Sequence, residues 1–398
     1  MTRVRRPALI AHAMHGALLL RLLCASTSAQ ERGPEAVPAE VLQTAVDRLG
    51  TLDYSVRMSA SRTIRRAPPA QAVPALTRAV ADHADGYVRF RALVLLTGFK
   101  DPRTADVMRG LLADPNNRLR EVAYAWYEHH QSPGIVPELL VAAEREQDEF
   151  LRPALIRALA AHGSDPRIRE TLLLDVKRGQ DFFRSAVIEA LGDYRAAYAV
   201  SEIIDVANVE GPLQDDAVLA LGRIGDRRAL ETLARLQRSA PQHTQPSVAA
   251  AVCLLGINCA SHEAYLGDTL RFAVENPGHQ ELMRASAAAT AALASRGSDV
   301  ALGYLLELGG PARDPARSPL ALAAATVAIR NTPLVLAALE RAGNRDAAMA
   351  LLADGFDMLE EDFDEERFFA TVRQGYWQAE DGSATREIGQ LLVERLEF

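Results

Sequence analysis

The chain has 398 residues, of which 48% are hydrophobic and 24% charged, and its formal net charge is −8. That balance excludes a disordered chain and leaves room for one large core or two to three domains. Aromatics are only 6% while alanine is abundant, which favours helix packed on helix, because Ala is the best helix former and lets backbones approach closely.

The N-terminal segment 1–29, "MTRVRRPALIAHAMHGALLLRLLCASTSA", combines a basic start, an apolar middle and small residues at the end, with no acid before Glu31. This is the layout of a secretory signal peptide cleaved after Ala29, with export to a periplasm or beyond; an organellar presequence shares the Arg-rich, acid-poor composition. The apolar run is too short and too broken by Arg21 to span a membrane. Its four arginines leave with it, so 40 basic residues then face 52 acidic ones, a net of −12. A chain of that charge repels phosphate backbones unless it carries a basic stripe, so nucleic acid is not an expected partner.

From residue 56 onward a ten-residue segment recurs: "VRMSASRTIR" at 56, "VRFRALVLLT" at 88, "LREVAYAWYE" at 119, "LRPALIRALA" at 151, "FRSAVIEALG" at 183 and "LQDDAVLALG" at 213. These starts keep a nearly constant beat of about 31 residues, a spacing typical of helix-pair repeats. Position two is Arg57, Arg89, Arg120, Arg152 and Arg184, then Gln214, and position nine is Ile64, Leu96, Tyr127, Leu159, Leu191 and Leu221. A second helical pattern fills each gap, as in "QAVPALTRAV" at 71 and "RIRETLLLDV" at 167. Its apolar residues fall three and four apart, on one buried face. Turns such as "GFKDPRTA" at 98 and "HGSDPRIR" at 162 separate the two. The unit is therefore a pair of antiparallel helices.

The stretches "FRSAVIEALGDYRAA" and "LQDDAVLALGRIGDRRALETLARL" resemble the HEAT repeat, in the short form of the phycobilin-lyase-like HEAT proteins. The likeness is good over 40–240 and looser beyond. It implies an all-α, right-handed α-solenoid of about nine helix pairs over 30–344, closed by a helical cap over 345–398. It also implies a scaffold that binds a protein or peptide. A bilin-lyase-like or other motif-less enzyme, with its site in the concave groove, is the alternative.

Four residues before each of the first four arginines stands a helix-starting polar residue, Asp53, Asp85, Asn116 and Asp148, and before Arg184 the acid, Asp181, is one place closer. Such residues cap the exposed amides of a helix start and suit its dipole. Arg57, Arg89, Arg120, Arg152 and Arg184 are expected to form a ladder of Asp–Arg hydrogen bonds between repeats, since the guanidinium fork matches a carboxylate. After loss of the leader two cysteines remain, Cys253 and Cys259, in "AVCLLGINCAS". Either a short-loop disulfide or two buried thiols fits them.

Towards the C-terminus the Arg–Ala signature stops. An acidic run, Glu360 to Glu366, mixes with Phe363, Phe368, Phe369, Tyr376 and Trp377, and "IGQLLVERLEF" is amphipathic. Capping the last repeat explains these residues; a docking surface is the alternative.

No GxSxG, GxxxxGK or HExxH occurs, so no catalytic residue is assigned. His129 and His130 are adjacent on a helix and point about 100° apart, which does not suit one metal. A single His-Glu dipeptide, His262-Glu263, is too few for a HEAT-type di-iron hydroxylase. Neither metal nor cofactor is expected. If the Arg-bearing helices line the concave side, positions three and seven face the open groove. A partner is then expected around Phe90, Val94, Glu121, Trp126 and Arg157, on a mildly acidic surface.

Overall fold

The computed structural model describes residues 36–359 and 363–397. The segment read as a leader, and residues 360–362 of the acidic run, lie outside the described residues. Among those described the chain forms 22 α-helices and no strand. In chain order they begin with α1 (Ala39–Arg48), α2 (Tyr54–Arg66), α3 (Pro69–Asp82), α4 (Gly86–Gly98), α5 (Thr104–Leu111), α6 (Asn117–His129), α7 (Val136–Arg145) and α8 (Arg152–Ala161). The series continues with α9 (Pro166–Asp175), α10 (Asp181–Asp193), α11 (Val200–Ala207), α12 (Gln214–Ile224), α13 (Leu230–Ser239), α14 (Gln245–Leu254) and α15 (Cys259–Glu275). It ends with α16 (Gln280–Ser295), α17 (Asp299–Gly309), α18 (Arg317–Arg330), α19 (Thr332–Arg341), α20 (Arg345–Phe356), α21 (Phe363–Gln378) and α22 (Ala384–Leu392).

The six recurring segments form the even-numbered helices α2 to α12. Their position-nine residues, Ile64, Leu96, Tyr127, Leu159, Leu191 and Leu221, are all buried. Each such side chain stabilises the fold by roughly 1.5–3 kcal/mol relative to exposure, which one helix pair alone could not realise on both faces. The even helices stack in series from α2 to α20, and each odd helix packs beside its even partner. The result is an all-α solenoid of two helical layers. Helix α20, placed in the cap by the sequence reading, stacks on α18 in the same manner as the helices before it.

Small residues set the spacing of the even layer. A Cβ on Gly222 in α12 would lie 2.4 Å from Ala251 Cα in α14, so only glycine allows this approach. Tighter spacing in one layer than in the other bends the stack, with the tight layer inside. Contacts across the bend confirm which side is inner: Arg330 at the end of α18 meets Asp193 at the end of α10, 137 residues earlier.

Helix starts follow the polar residues before each Arg. Asp53, Asp85 and Asn116 accept from the backbone amides of Val56, Tyr87 and Arg118, and Asp148 accepts from Phe150. The arginines follow the expected ladder only in part: Arg89, Arg120 and Arg184 reach carboxylates, and Arg57 and Arg152 bond otherwise. Arg89 donates to the Val80 carbonyl (2.7 Å) and to Asp114 (2.7 Å), and Arg120 donates to both oxygens of Glu146 (2.8 and 3.1 Å). Arg57 reaches the Thr51 carbonyl (3.0 Å), Arg152 lies 3.6 Å over the Phe183 ring, and Arg184 holds the Val176 carbonyl (2.9 Å) with a longer bond to Asp181 (3.4 Å). The capping acids are occupied by amides, so the guanidiniums turn to the preceding loop and to acids further along the chain.

The chain then folds back. Helix α21 packs on α4 and α6 at the start of the solenoid and on α18 near its end. Phe363 joins the hydrophobic core of the first half, while Phe368, Phe369 and Val372 join that of the second. Glu366, 2% exposed, accepts from Arg65 in α2 at 2.5 Å and from Arg373 at 2.7 Å. Around this pair, His129 meets Asp364 (3.2 Å), Arg367 meets Asp364 (2.7 Å), and Lys100 donates to Gln374 (3.2 Å). Burial pushes the Glu366 carboxyl up, but Arg65 and Arg373 outweigh it and hold it below the usual glutamate range. The first turns of the inner surface are therefore covered by the chain's own C-terminal helix.

Candidate functional site

The C-terminal ends of the inner helices converge and bring charged residues together. Asp193 at the end of α10 accepts from Arg157 of α8 (3.0 Å) and Arg330 of α18 (2.9 Å), with Arg223 of α12 at 3.5 Å. Glu128 of α6, only 3% exposed, takes Arg157 through bonds of 2.6 and 3.0 Å and accepts from the Tyr194 hydroxyl at 2.8 Å. Burial pushes the Asp193 carboxyl up, and Arg330, Arg223 and Arg157 more than offset it, so it lies below the usual aspartate range. Arg330 is shifted down by burial and by Arg223 and Arg157, against the pull of Asp193.

Arg296, just past the end of α16, uses one guanidinium nitrogen to reach the carbonyls of Asp193 (3.3 Å), Arg223 (3.4 Å) and Gly192 (3.5 Å). A helix C-terminus leaves its last carbonyls without intrahelical donors, here with the Arg195 amide also reaching the Gly192 carbonyl (3.1 Å), and a cation suits that end of the dipole. Burial and then Arg195 lower its pKa. Among the described residues, Arg195 and Arg296 have no carboxylate partner. Behind them Asp216 is pushed up to about 6, first by burial and then by Glu189 and Asp215, while Ser185 and Arg223 oppose the shift.

Beside this cluster a groove of about 710 Å³ runs between α16 and α18. Its floor is Ala288, Ala291, Ala292, Leu322 and Ala323; its rim carries Arg284, Ser318 and Asp314 at one end and Arg223, Arg330 and Glu189 at the other. Leu322 is 43% exposed. Helices α16 and α18 run in one direction because α17 returns between them, so both deliver their C-terminal ends to the arginine cluster. The volume falls in the range of ligand-binding clefts.

The residues marked by sequence are distributed differently. Phe90 and Val94 are buried, at 4% and 1% exposure, in the helix on which α21 packs, so they do not line an open groove. Trp126 is 9% exposed and stacks on His130 at 3.9 Å. Glu121 is half-buried on α6. Arg157 stands in the charged cluster described above. The inner surface there is rich in arginine where a mildly acidic one was expected. His129 pairs with Asp364, and His130 bonds the Trp126 carbonyl (2.9 Å).

Cys253 and Cys259 are joined as a disulfide, with Cα atoms 4.3 Å apart. With Glu263 they bring three possible ligand atoms within 4.8 Å, but each sulfur is spent on the other. Sequence reasoning missed Glu128, Asp193, Arg223, Arg296 and Arg330 as a group. A signal existed for two of them: Asp193 and Arg223 both occupy position eleven of their repeats, one place past the small tenth residue. Nothing local marks Arg296 or Arg330, which lie where the repeat pattern loosens.

Residues 42–128 match the family model of HEAT repeats. No curated protein matches the chain. Among the described residues no single helix is long and apolar enough to cross a membrane.

Proposed function

We propose that the chain, a HEAT-repeat protein, is an exported, non-catalytic scaffold that binds a protein or peptide on the inner face of its solenoid. The observation that carries this reading is the groove between α16 and α18. It leaves an apolar floor with half-exposed Leu322 open on the inner side, while α21 covers the corresponding surface of α4 and α6. A soluble solenoid gains nothing from an unfilled apolar strip on its inner face, and such strips mark interaction sites. Catalysis would need polar groups converging on one point. Here Asp314 and Glu189 stand at opposite ends of the groove, with alanines between.

Export follows from the leader-like segment 1–29, and the mass of the mature chain tests it: the expected N-terminus is Gln30, with Cys253 and Cys259 oxidised. Binding is tested with a photo-crosslinking amino acid at Leu322 and, as a control, at the exposed Leu174 of outer helix α9. The reading predicts a discrete protein or peptide adduct from position 322 and none from 174. Identical adducts from both positions, or none from 322, overturn it.

A further inference from the structure

The groove has a chemical direction, and resting on the scaffold reading above, its occupant can be specified further. One wall is α16 from Gln280 to Ser295, which at 1.5 Å per residue gives a length of about 22 Å. An extended strand advances about 3.3 Å per residue, so the groove accepts about six or seven residues of extended peptide. Small side chains line its floor, and Leu322 offers the exposed apolar contact.

Positive charge stands at two points along this length. At the far end Arg223, Arg330 and Arg157 converge on Asp193, Arg157 also takes Glu128, and Glu189 stands on the same rim; Arg195 and Arg296 next to them form no ion pair among the described residues, so five guanidinium groups stand against three carboxylates. One turn inside the near end is Arg284, exposed and without an ion pair among the described residues. Arg284 and the far end are about 16 Å apart along the helix, the span of about five extended residues. In a chain of net charge −8 this excess of guanidinium groups over carboxylates is local and suits an anion. The guanidinium fork binds carboxylates in preference to neutral groups, and Arg clusters are a recurring device for reading acidic motifs.

We propose that the α16–α18 groove binds an extended acidic peptide: two carboxylates about five residues apart, one at Arg284 and one at Arg223 and Arg330, with apolar side chains between them over Leu322 and the alanine floor. Glu189 and Asp314, at the ends, are placed to accept amide N–H groups, which a peptide has and a fatty acid lacks.

The test uses the mature full-length chain and a fluorescein-labelled seven-residue peptide with glutamate at its first and sixth positions and leucine, valine or alanine elsewhere. Fluorescence anisotropy is expected to show saturable binding, at least tenfold weaker when both glutamates are glutamine. Arg284→Glu is expected to weaken binding at least fivefold with the melting temperature unchanged, since Arg284 supports nothing else; Arg284→Lys retains most of it. Equal binding of the acidic and glutamine peptides, or no effect of Arg284→Glu, overturns the proposal. So does palmitate binding in the absence of peptide binding, which would make the groove a lipid site. If position 322 still crosslinks a partner while the acidic peptide does not bind, this inference fails and the scaffold reading stands; if both fail, the scaffold reading fails with it.

Discussion

Replacing Glu366 by Gln removes the charge that fastens α21 inside the solenoid. The carboxylate is 2% exposed and its partner Arg65 8% exposed, so the change takes a full negative charge away from a buried guanidinium. Removing one partner of a buried pair costs about 3–5 kcal/mol. Glutamine keeps one acceptor oxygen, which places the expected cost near the lower end, about 3 kcal/mol. At about 1.36 kcal/mol per decade this is roughly a 150-fold rise in the opening equilibrium of α21. Native-state hydrogen exchange reads that equilibrium segment by segment. Amides of α21 are expected to exchange roughly 150-fold faster in the variant, those of α10 and α12 at unchanged rates. A double change, Arg65→Met with Glu366→Leu, is expected to restore part of the protection, because it removes the more buried guanidinium together with the carboxylate, while Arg373, 22% exposed, can be met by water. A change below tenfold in α21, or an equal change along the whole chain, would refute the idea that this pair holds the closure.

Acid is expected to release the same helix. Glu366 and Asp364 both have folded pKa values below their unfolded ones, Asp364 at about 2, where burial is outweighed by His129 and Arg367. Groups shifted in this direction stabilise the fold above their unfolded pKa near 4 and lose that contribution as pH falls through the folded value. Exchange of α21 should therefore accelerate from about pH 4 towards 2. Asp216 has the opposite sign: its pKa is raised to about 6, so it costs stability once ionised. Asp216→Asn is expected to raise stability at pH 7.5 by about 2 kcal/mol and to change little at pH 4, measured by urea unfolding. Gly222→Ala is expected to destabilise by about 1–3 kcal/mol because its Cβ meets Ala251. Gly110→Ala in α5, where a Cβ meets nothing within 4 Å, is expected to stabilise by up to about 1 kcal/mol. Thermal melts of the two variants read the contrast.

What the sequence reveals here is whatever recurs within a single helix-pair repeat. The buried Leu191 and Leu221 and the caps at Asp53, Asp85 and Asn116 all depend on neighbours one repeat away at most. The partners of the arginines were less legible, since the capping acids and acids such as Asp114 and Glu146 compete for them, and three-dimensional reach decides. The closure by α21 was not legible. It depends on a small rotation accumulated over many repeats, which brings Glu366 to Arg65 across 301 residues. Phe90 and Val94 look like groove residues in an open array; in the structure they are buried, and Arg118 of the next even helix lies over the Phe90 ring. The arginine cluster is hidden too, since Asp193, Arg296 and Arg330 meet only because the stack curves.

The central claim is that the solenoid closes on its own C-terminal helix and leaves the α16–α18 groove as the open inner surface. The chain's two lysines test it directly. Lys177 lies 3.9 Å from Glu202 within adjacent repeats, and Lys100 donates to Gln374 across the closure, 274 residues away. In the variant Gln374→Glu, a zero-length carbodiimide crosslink followed by peptide mass mapping should join Lys100 to position 374 as readily as it joins Lys177 to Glu202. The 177–202 link without the 100–374 link would contradict the closure.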